Sequence, residues 1–121
     1  MQISEQILSM KDDCVKIRRD LHRIPEIGFD LQKTHEYIKP IIEACRPDEL
    51  KVLAEVGFKA VFYAKDADRT IAFRADMDGM KNTEENKCRF RSRNKGVMHG
   101  CGHDGHMTVS YTHLRAHETG R

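Results

Sequence analysis

The chain has 121 residues, of which 39% are hydrophobic and 33% charged, and its 21 basic and 19 acidic side chains leave a net charge of +2. This composition is typical of one water-soluble domain with a sizeable core, and so small a net charge argues against nucleic acid as the main partner. No apolar run approaches the ~20 residues of a membrane helix and no signal-peptide core follows the first residue, so neither membrane insertion nor secretion is expected.

The first predicted element is an amphipathic helix, because apolar residues recur at three- and four-residue steps from Ile3 onward. Ser4 is the expected N-cap, and Pro25 cannot continue a helix, so the helix should end near Arg23. His22 lies in the last turn. It either belongs to a functional site or caps the helix dipole, and its spacing favours the cap.

A second helix is predicted after Asp30, which is the expected N-cap. Its apolar face recurs at helical spacing, and Pro40 inside it should bend or shorten it. Three runs rich in β-branched and aromatic residues follow at 52–56, 60–64 and 70–74, and they predict strands, the last two forming an antiparallel hairpin. The fold class indicated is α/β, with two helices followed by a partial mixed sheet.

An acidic pair, Asp76 and Asp78, ends the third predicted strand. Residues two apart on a strand point to the same side, so these carboxylates could hold a metal ion or orient a histidine. A polar turn is the alternative, because Asp-Gly is a common turn dipeptide. The following residues, 81–96, carry six basic side chains and few apolar ones, and we expect an exposed loop rather than a nucleic-acid site.

The segment 99–106, with the sequence HGCGHDGH, holds most of the chemistry of the chain. A Cys-x-His pair offers a thiolate and an imidazole, which are the ligands that zinc and its neighbours prefer. The glycines allow the backbone to fold tightly around such a site. A polar surface loop rich in histidine is the alternative interpretation. The other cysteines, at 14, 45 and 88, form no Cys-x-x-Cys motif and are expected to be reduced thiols of a cytoplasmic protein.

Three separated segments resemble, in order, the metal-dependent amidohydrolases related to hippurate and auxin-conjugate hydrolases, within the zinc carboxypeptidase and aminoacylase superfamily. They are residues 18–29 (RRDLHRIPEIGF), 70–78 (TIAFRADMD) and 96–107 (GVMHGCGHDGHM). The resemblance implies the N-terminal part of a zinc-peptidase-like catalytic domain.

The same resemblance implies that Cys101 and His103 are ligands in a site that holds two divalent ions, zinc or manganese. Asp76, Asp78 and Asp104 would support the ligands from outside the coordination sphere, and His99 and His106 would be structural or supporting residues. The implied reaction is hydrolysis of the amide bond of an N-acyl amino acid or a related small substrate. The full-length parent would be a homodimer formed through a further domain, with no nucleic-acid or membrane partner.

The chain departs from the family at two places. Residues 79–81 read Gly-Met-Lys where the family usually has Ala-Leu-Pro, and no Glu-Glu pair follows Cys101 to supply the general base. With two ligands and no such base, we expect the chain itself to be inactive.

The last residues of the sequence predict that the chain consists of two parts. Residues 109–119 match the translation of a transposase adapter used in sequencing libraries, so we expect a partial catalytic domain at 1–107 and a non-native tail at 108–121. A self-standing zinc-binding module is the alternative to an enzyme fragment, with His106, His113 or His117 completing its site.

Overall fold

The computed structural model describes residues 2–119, apart from the side chains of residues 117–119. Its elements in chain order are α1 (Glu5–Ser9), α2 (Lys11–Arg23), α3 (Gln32–Ala44), β1 (Glu49–Leu53), β2 (Gly57–Val61), β3 (Met80–Lys81), β4 (Val97–Met98) and α4 (His103–Thr119). Across the part of the chain that the structure describes, none of the helices combines the length and the apolarity needed to cross a membrane. The predicted α/β fold class is confirmed.

The first predicted helix is divided at Met10 into α1 and α2. Ser4 caps α1 by accepting a hydrogen bond from the backbone amide of Ile7, and α2 ends at Arg23, as predicted. The amide of Met10 closes the last turn of α1 on Ile7, and none of the residues of α1 is buried. Most of a helix's stability comes from packing of its apolar face. Because α1 buries none of its residues, the apolar face predicted for one long helix packs only along α2.

The start of α3 corrects the prediction that Asp30 is its N-cap. The N-cap position is Leu31, which makes no side-chain capping bond. The carboxylate of Glu26 instead accepts hydrogen bonds from the backbone amides of Lys33, at 3.2 Å, and Thr34, at 2.7 Å. A residue from the preceding loop therefore satisfies the free amides of the first turn. Pro40 lies inside α3, as expected.

The hairpin is formed by the first two predicted strands, and the prediction that it joins the last two was wrong. β1 and β2 pair antiparallel, with Leu53 opposite Gly57 at the closed end. Ala54 and Glu55 both have positive φ, so the chain turns where the sequence predicted continued strand. The hairpin packs on α3, where the ring of His35 stacks on Phe58 with centroids 4.4 Å apart.

Residues 70–74 form none of the strands in the described part of the chain, contrary to the prediction. A strand requires a neighbour for its backbone hydrogen bonds, and the pairs observed in this part are β1 with β2 and β3 with β4. Despite their β-rich composition, these residues therefore join neither of the two strand pairs.

The core lies between α2 and the first half of α4, where Ile17, Leu21 and Met107 are buried together. Partly buried side chains from α3, from the segment before β3 and from α4 pack against it: Tyr37, Ile38, Ile41, Ala75, Met77 and Tyr111. This packing fixes α4 against α2 and places the beginning of α4 next to the end of α2. The helix continues past residue 107, and the division of the chain at that residue stays a prediction.

Candidate metal centre

The short β3–β4 pair brings the acidic segment and the ligand-rich segment together. Met80 pairs with Met98, so the residues just before β3 lie beside the loop that follows β4. The approach is close, because a Cβ on Gly100 would lie 2.6 Å from the sulfur of Met80. Gly102 has a φ of +82°, a conformation that glycine adopts without strain, and the chain enters α4 directly after it.

His103 is the first residue of α4, and Asp78 fixes its ring. The Nδ1 atom lies 2.8 Å from the backbone oxygen of Asp78 and 3.1 Å from its Oδ1. A proton on Nδ1 satisfies the backbone oxygen and leaves the lone pair of Nε2 available. Metal-binding histidines are commonly held in this way, with one nitrogen donating to an oxygen and the other free for the ion.

Cys101 is exposed, and its sulfur contacts that of Met80 at 3.8 Å. A thiolate and an imidazole two residues apart are a donor set that suits zinc and other borderline divalent ions. Among the described side chains, which end at residue 116, however, no cluster of three or more histidine, cysteine or acidic groups is arranged to hold one ion. The donor chemistry fits a divalent metal, and this part of the chain offers two suitable donors.

The two aspartates of the acidic pair have different surroundings. Asp78 contacts His103, whereas the Oδ1 atom of Asp76 accepts a hydrogen bond from the guanidinium of Arg74 at 2.6 Å. Both carboxylates are 44% exposed. The contacts of Asp78 are those expected of a residue that orients a ligand, and the contacts of Asp76 link it to its own segment.

Asp104 is buried, with a side chain 1% exposed, and it joins α4 to α2. Its Oδ2 atom lies 2.7 Å from Nδ1 of His22 and 3.0 Å from Nε of Arg18. The capping role that the sequence favoured for His22 is therefore wrong. The reason is tertiary, because the ring faces a carboxylate that is 82 residues away along the chain.

Glu84 is a site residue that sequence reasoning missed. Its side chain is 2% exposed, and its Oε1 atom lies 2.9 Å from Nε2 of His22. Burial alone would raise the pKa of Glu84, but hydrogen bonds from the backbone amide of Ser92 and from His22 outweigh it and hold the pKa below its usual value. Glu84 lies in a polar loop among other charged residues, where the sequence carries no signal that separates it from them.

His99 and His106, expected to be structural or supporting residues, occupy different environments. His99 is buried, with its ring 6.4 Å from that of His22, and neither of its ring nitrogens has a hydrogen-bond partner among the described residues. Burial is the main reason why the pKa of His99 lies below its usual value. His106 is exposed, and its ring centroid lies 5.6 Å from that of His103.

Of the histidines proposed to complete a self-standing zinc site, His106 lies near His103, but the described side chains form no group of three or more possible ligands. The ring of His113 stacks on Phe73, with centroids 4.1 Å apart. The side chain of His117 lies outside the described residues.

The basic segment 81–96 lies on the surface and is anchored beside the end of α2. Its six basic side chains are exposed. Phe90 points inward, with the guanidinium carbon of Arg19 4.8 Å from the ring centroid and the ring of His22 in edge contact. The backbone amide of Arg93 donates to the carbonyl oxygen of Arg23. These contacts hold the loop that carries Glu84 against the buried charges.

Comparison with known proteins relates the sequence to one enzyme family. The profile of Peptidase family M20/M25/M40 matches residues 72–120. An N-acetyldiaminopimelate deacetylase from Halalkalibacterium halodurans is 41% identical over 107 residues, which cover 88% of this chain and 29% of the relative. A protein of the same name from Bacillus cytotoxicus is 43% identical over 103 residues, covering 84% of this chain and 27% of the relative. The chain thus spans less than a third of the length of these curated relatives.

Two crystal structures share the fold. The Bacillus subtilis YXEP protein, described as a dinuclear metal-binding peptidase from the M20 family, superposes with a TM-score of 0.87 at 28% identity, over 94% of this chain and 32% of that one. A protein described as an aminohydrolase from methicillin-resistant Staphylococcus aureus gives a TM-score of 0.84 at 31% identity, over 97% of this chain and 32% of that one.

Proposed function

We propose that the chain is part of a metal-dependent amidohydrolase of peptidase family M20/M25/M40 that removes the acyl group from a small N-acylated amino acid. The observation that carries this proposal is the pairing of Cys101 with an oriented His103. Asp78 holds Nδ1 of that imidazole and leaves Nε2 available, two residues along the chain from the thiol. The YXEP protein, which has the same fold, is described as binding two metal ions.

Each residue of the site has a role in this proposal. Cys101 binds the metal as a thiolate and His103 as a neutral imidazole. Asp78 orients His103, Asp104 fixes the first turn of α4, and Asp76 supports the acidic segment through Arg74. When bound, a divalent ion, zinc or manganese, supplies Lewis-acid polarisation of the amide carbonyl.

The names of the relatives suggest a substrate. The matched deacetylases are named for N-acetyldiaminopimelate, an acetylated amino acid, which agrees with the small N-acylated substrate expected from the sequence. We assign an N-acetylated amino acid as the substrate class, with a homodimeric full-length protein. The cysteines at 14, 88 and 101 form no disulfide within the described residues, which supports the expected cytoplasmic location.

The activity test compares the 121-residue chain with the product of the longer reading frame at the source locus. The chain alone should release no acetate from N-acetyldiaminopimelate with added Zn²⁺ or Mn²⁺, because two ligands without a water-activating base do not complete a hydrolytic site. The longer product should hydrolyse it, and Cys101→Ala in that product should reduce kcat/KM at least about 100-fold. Activity that survives Cys101→Ala unchanged would remove the metal-ligand role.

The same locus tests the proposed tail. A native gene that encodes residues 108–121 without interruption would refute the division at residue 107. Stoichiometric zinc binding by the isolated chain, coupled to folding and lost in Cys101→Ala, would instead favour the self-standing zinc-binding module.

A further inference from the structure

A buried imidazole links three segments of the molecule beside the candidate metal centre. The side chain of His22 is 5% exposed, and its two ring nitrogens lie against two carboxylates that are themselves almost fully buried. Nδ1 contacts Asp104 at 2.7 Å and Nε2 contacts Glu84 at 2.9 Å. The end of α2, the loop before β4 and the beginning of α4 therefore meet at one side chain.

The hydrogen bonds around this imidazole are fully used. Oδ1 of Asp104 accepts from the amide of Gly105 at 2.9 Å, and Oδ2 faces both His22 and Arg18. Oε2 of Glu84 accepts from the amide of Ser92 at 2.5 Å. Each ring nitrogen of His22 lies within hydrogen-bond distance of an oxygen of one of these carboxylates. A buried group whose partners are all satisfied has one preferred geometry, and losing a partner is costly.

The contacts of His22 and Asp104 restrain the loop that carries Cys101 and His103 at its C-terminal end. Asp104 directly follows His103 in the first turn of α4, and Asp78 holds His103 from the other side. When the carboxylate of Asp104 is fixed on α2, the backbone that carries His103 has little freedom to move. The β3–β4 pair restrains the opposite end of the same loop, at Val97 and Met98.

The geometry points to His22 and Glu84 as positioning residues that hold the Cys101–His103 loop in its ligand-binding conformation through Asp104. This inference rests on the proposed metal site, but it concerns the order of the loop before any metal binds. Residues that orient metal ligands typically change metal affinity by about 10–100-fold when replaced.

Two substitutions at His22 separate its two contacts. The amide nitrogen of asparagine lies near the position of Nδ1, so His22→Asn retains the donor to Asp104 and loses the one to Glu84. The longer side chain of glutamine places its amide near Nε2, so His22→Gln retains the donor to Glu84 and releases Asp104. Ile17→Val is the matched control, because it removes a methylene group from the core of α2 without touching either carboxylate.

The first measurement is amide hydrogen exchange of the metal-free proteins, which reports local opening. Exchange at residues 99–106 should be at least about tenfold faster in His22→Gln than in wild type and intermediate in His22→Asn, with the β1–β2 hairpin unchanged. If His22 only stabilised the fold, the two substitutions would raise the exchange rates equally, and the increases would spread over α2 and α4 as in Ile17→Val. Either that pattern or an unchanged loop would overturn the inference.

The second measurement is Co²⁺ titration, followed by the thiolate-to-cobalt absorption band of Cys101. The dissociation constant should rise about 10–100-fold in His22→Gln and in Glu84→Ala, and stay within about twofold in Ile17→Val. In the longer product of the source locus, absence of the cobalt band in the wild-type protein would count against the proposed metal function, whereas the order of the exchange rates in the variants would still decide the positioning role. Equal cobalt affinities in all four proteins would refute the positioning role itself.

Discussion

Buried charge is concentrated where the side chains of His22, Glu84 and Asp104 meet, all three at most 5% exposed. Charges this far from water destabilise a fold unless each is paired, and removing one partner leaves the others without compensation. The site therefore depends on interactions between residues that are distant in the sequence. The same network makes the stability of the fold depend on pH.

Glu84 gives a prediction for acid stability. Its pKa is lowered in the folded protein, so its ionised form stabilises the fold above the unfolded value of about 4.3, and this contribution is lost as pH falls through the lower folded value. Glu84→Gln should be less stable than wild type at neutral pH and should lose less stability on acidification. Urea midpoints measured from pH 7 to pH 3 test this. Glu85→Gln, at the exposed neighbour, should follow the wild-type curve, and parallel curves for all three proteins would contradict the prediction.

Where the helices and strands begin and end depends on tertiary contacts as much as on local sequence. The apolar face predicted for α3 packs on the core through Tyr37, Ile38 and Ile41, as its spacing requires. Its first turn is capped by Glu26, which precedes the sequence-predicted cap, because the loop after α2 returns toward α3. Capping by a distant carboxylate follows from the path of the chain and has no simple signature in the sequence.

The cap of α3 can be tested with two substitutions. Glu26→Ala should lower the free energy of unfolding by about 0.5–2 kcal/mol, because the amides of Lys33 and Thr34 lose their acceptor. Asp30→Ala, at the cap predicted from sequence, should change it by no more than about 0.5 kcal/mol. Chemical denaturation of the two variants gives both values. A larger loss in Asp30→Ala than in Glu26→Ala would reverse the assignment.

At the scale of the whole molecule, the apolar surface is incompletely covered. Ile71 is 78% exposed and Phe73 is 64% exposed, both in the extended segment between β2 and β3. An unpaired segment with β-forming side chains is a template for association with another chain. The matched parts make up 29% and 27% of two of the relatives.

The exposed segment predicts concentration-dependent association of the 121-residue chain. Ile71→Lys should raise the concentration at which light scattering increases by about twofold or more, because it places a charge on the unpaired edge. Ile7→Lys, at a side chain 52% exposed on α1, should have little effect. Equal scattering by the wild-type protein and Ile71→Lys at every concentration would show that this segment does not drive association.

The sequence by itself determined the features that depend on neighbouring residues. Helical periodicity located α2 and α3, Ser4 capped α1, and the turn before Pro25 ended α2 as predicted. The ligand-rich segment and the acidic pair carry the similarity to peptidase family M20/M25/M40, because their residue types and spacing are read along the chain without knowledge of the fold.

Tertiary structure alone decided what lies opposite each side chain. It paired β1 with β2 and left residues 70–74 without a partner, because strand pairing depends on which segments the fold brings together. It brought His22 between two buried carboxylates and Asp78 to His103, which are contacts across 25 to 82 residues of chain. Such contacts are fixed by packing of the whole domain, and so their chemistry becomes visible only after the chain has folded.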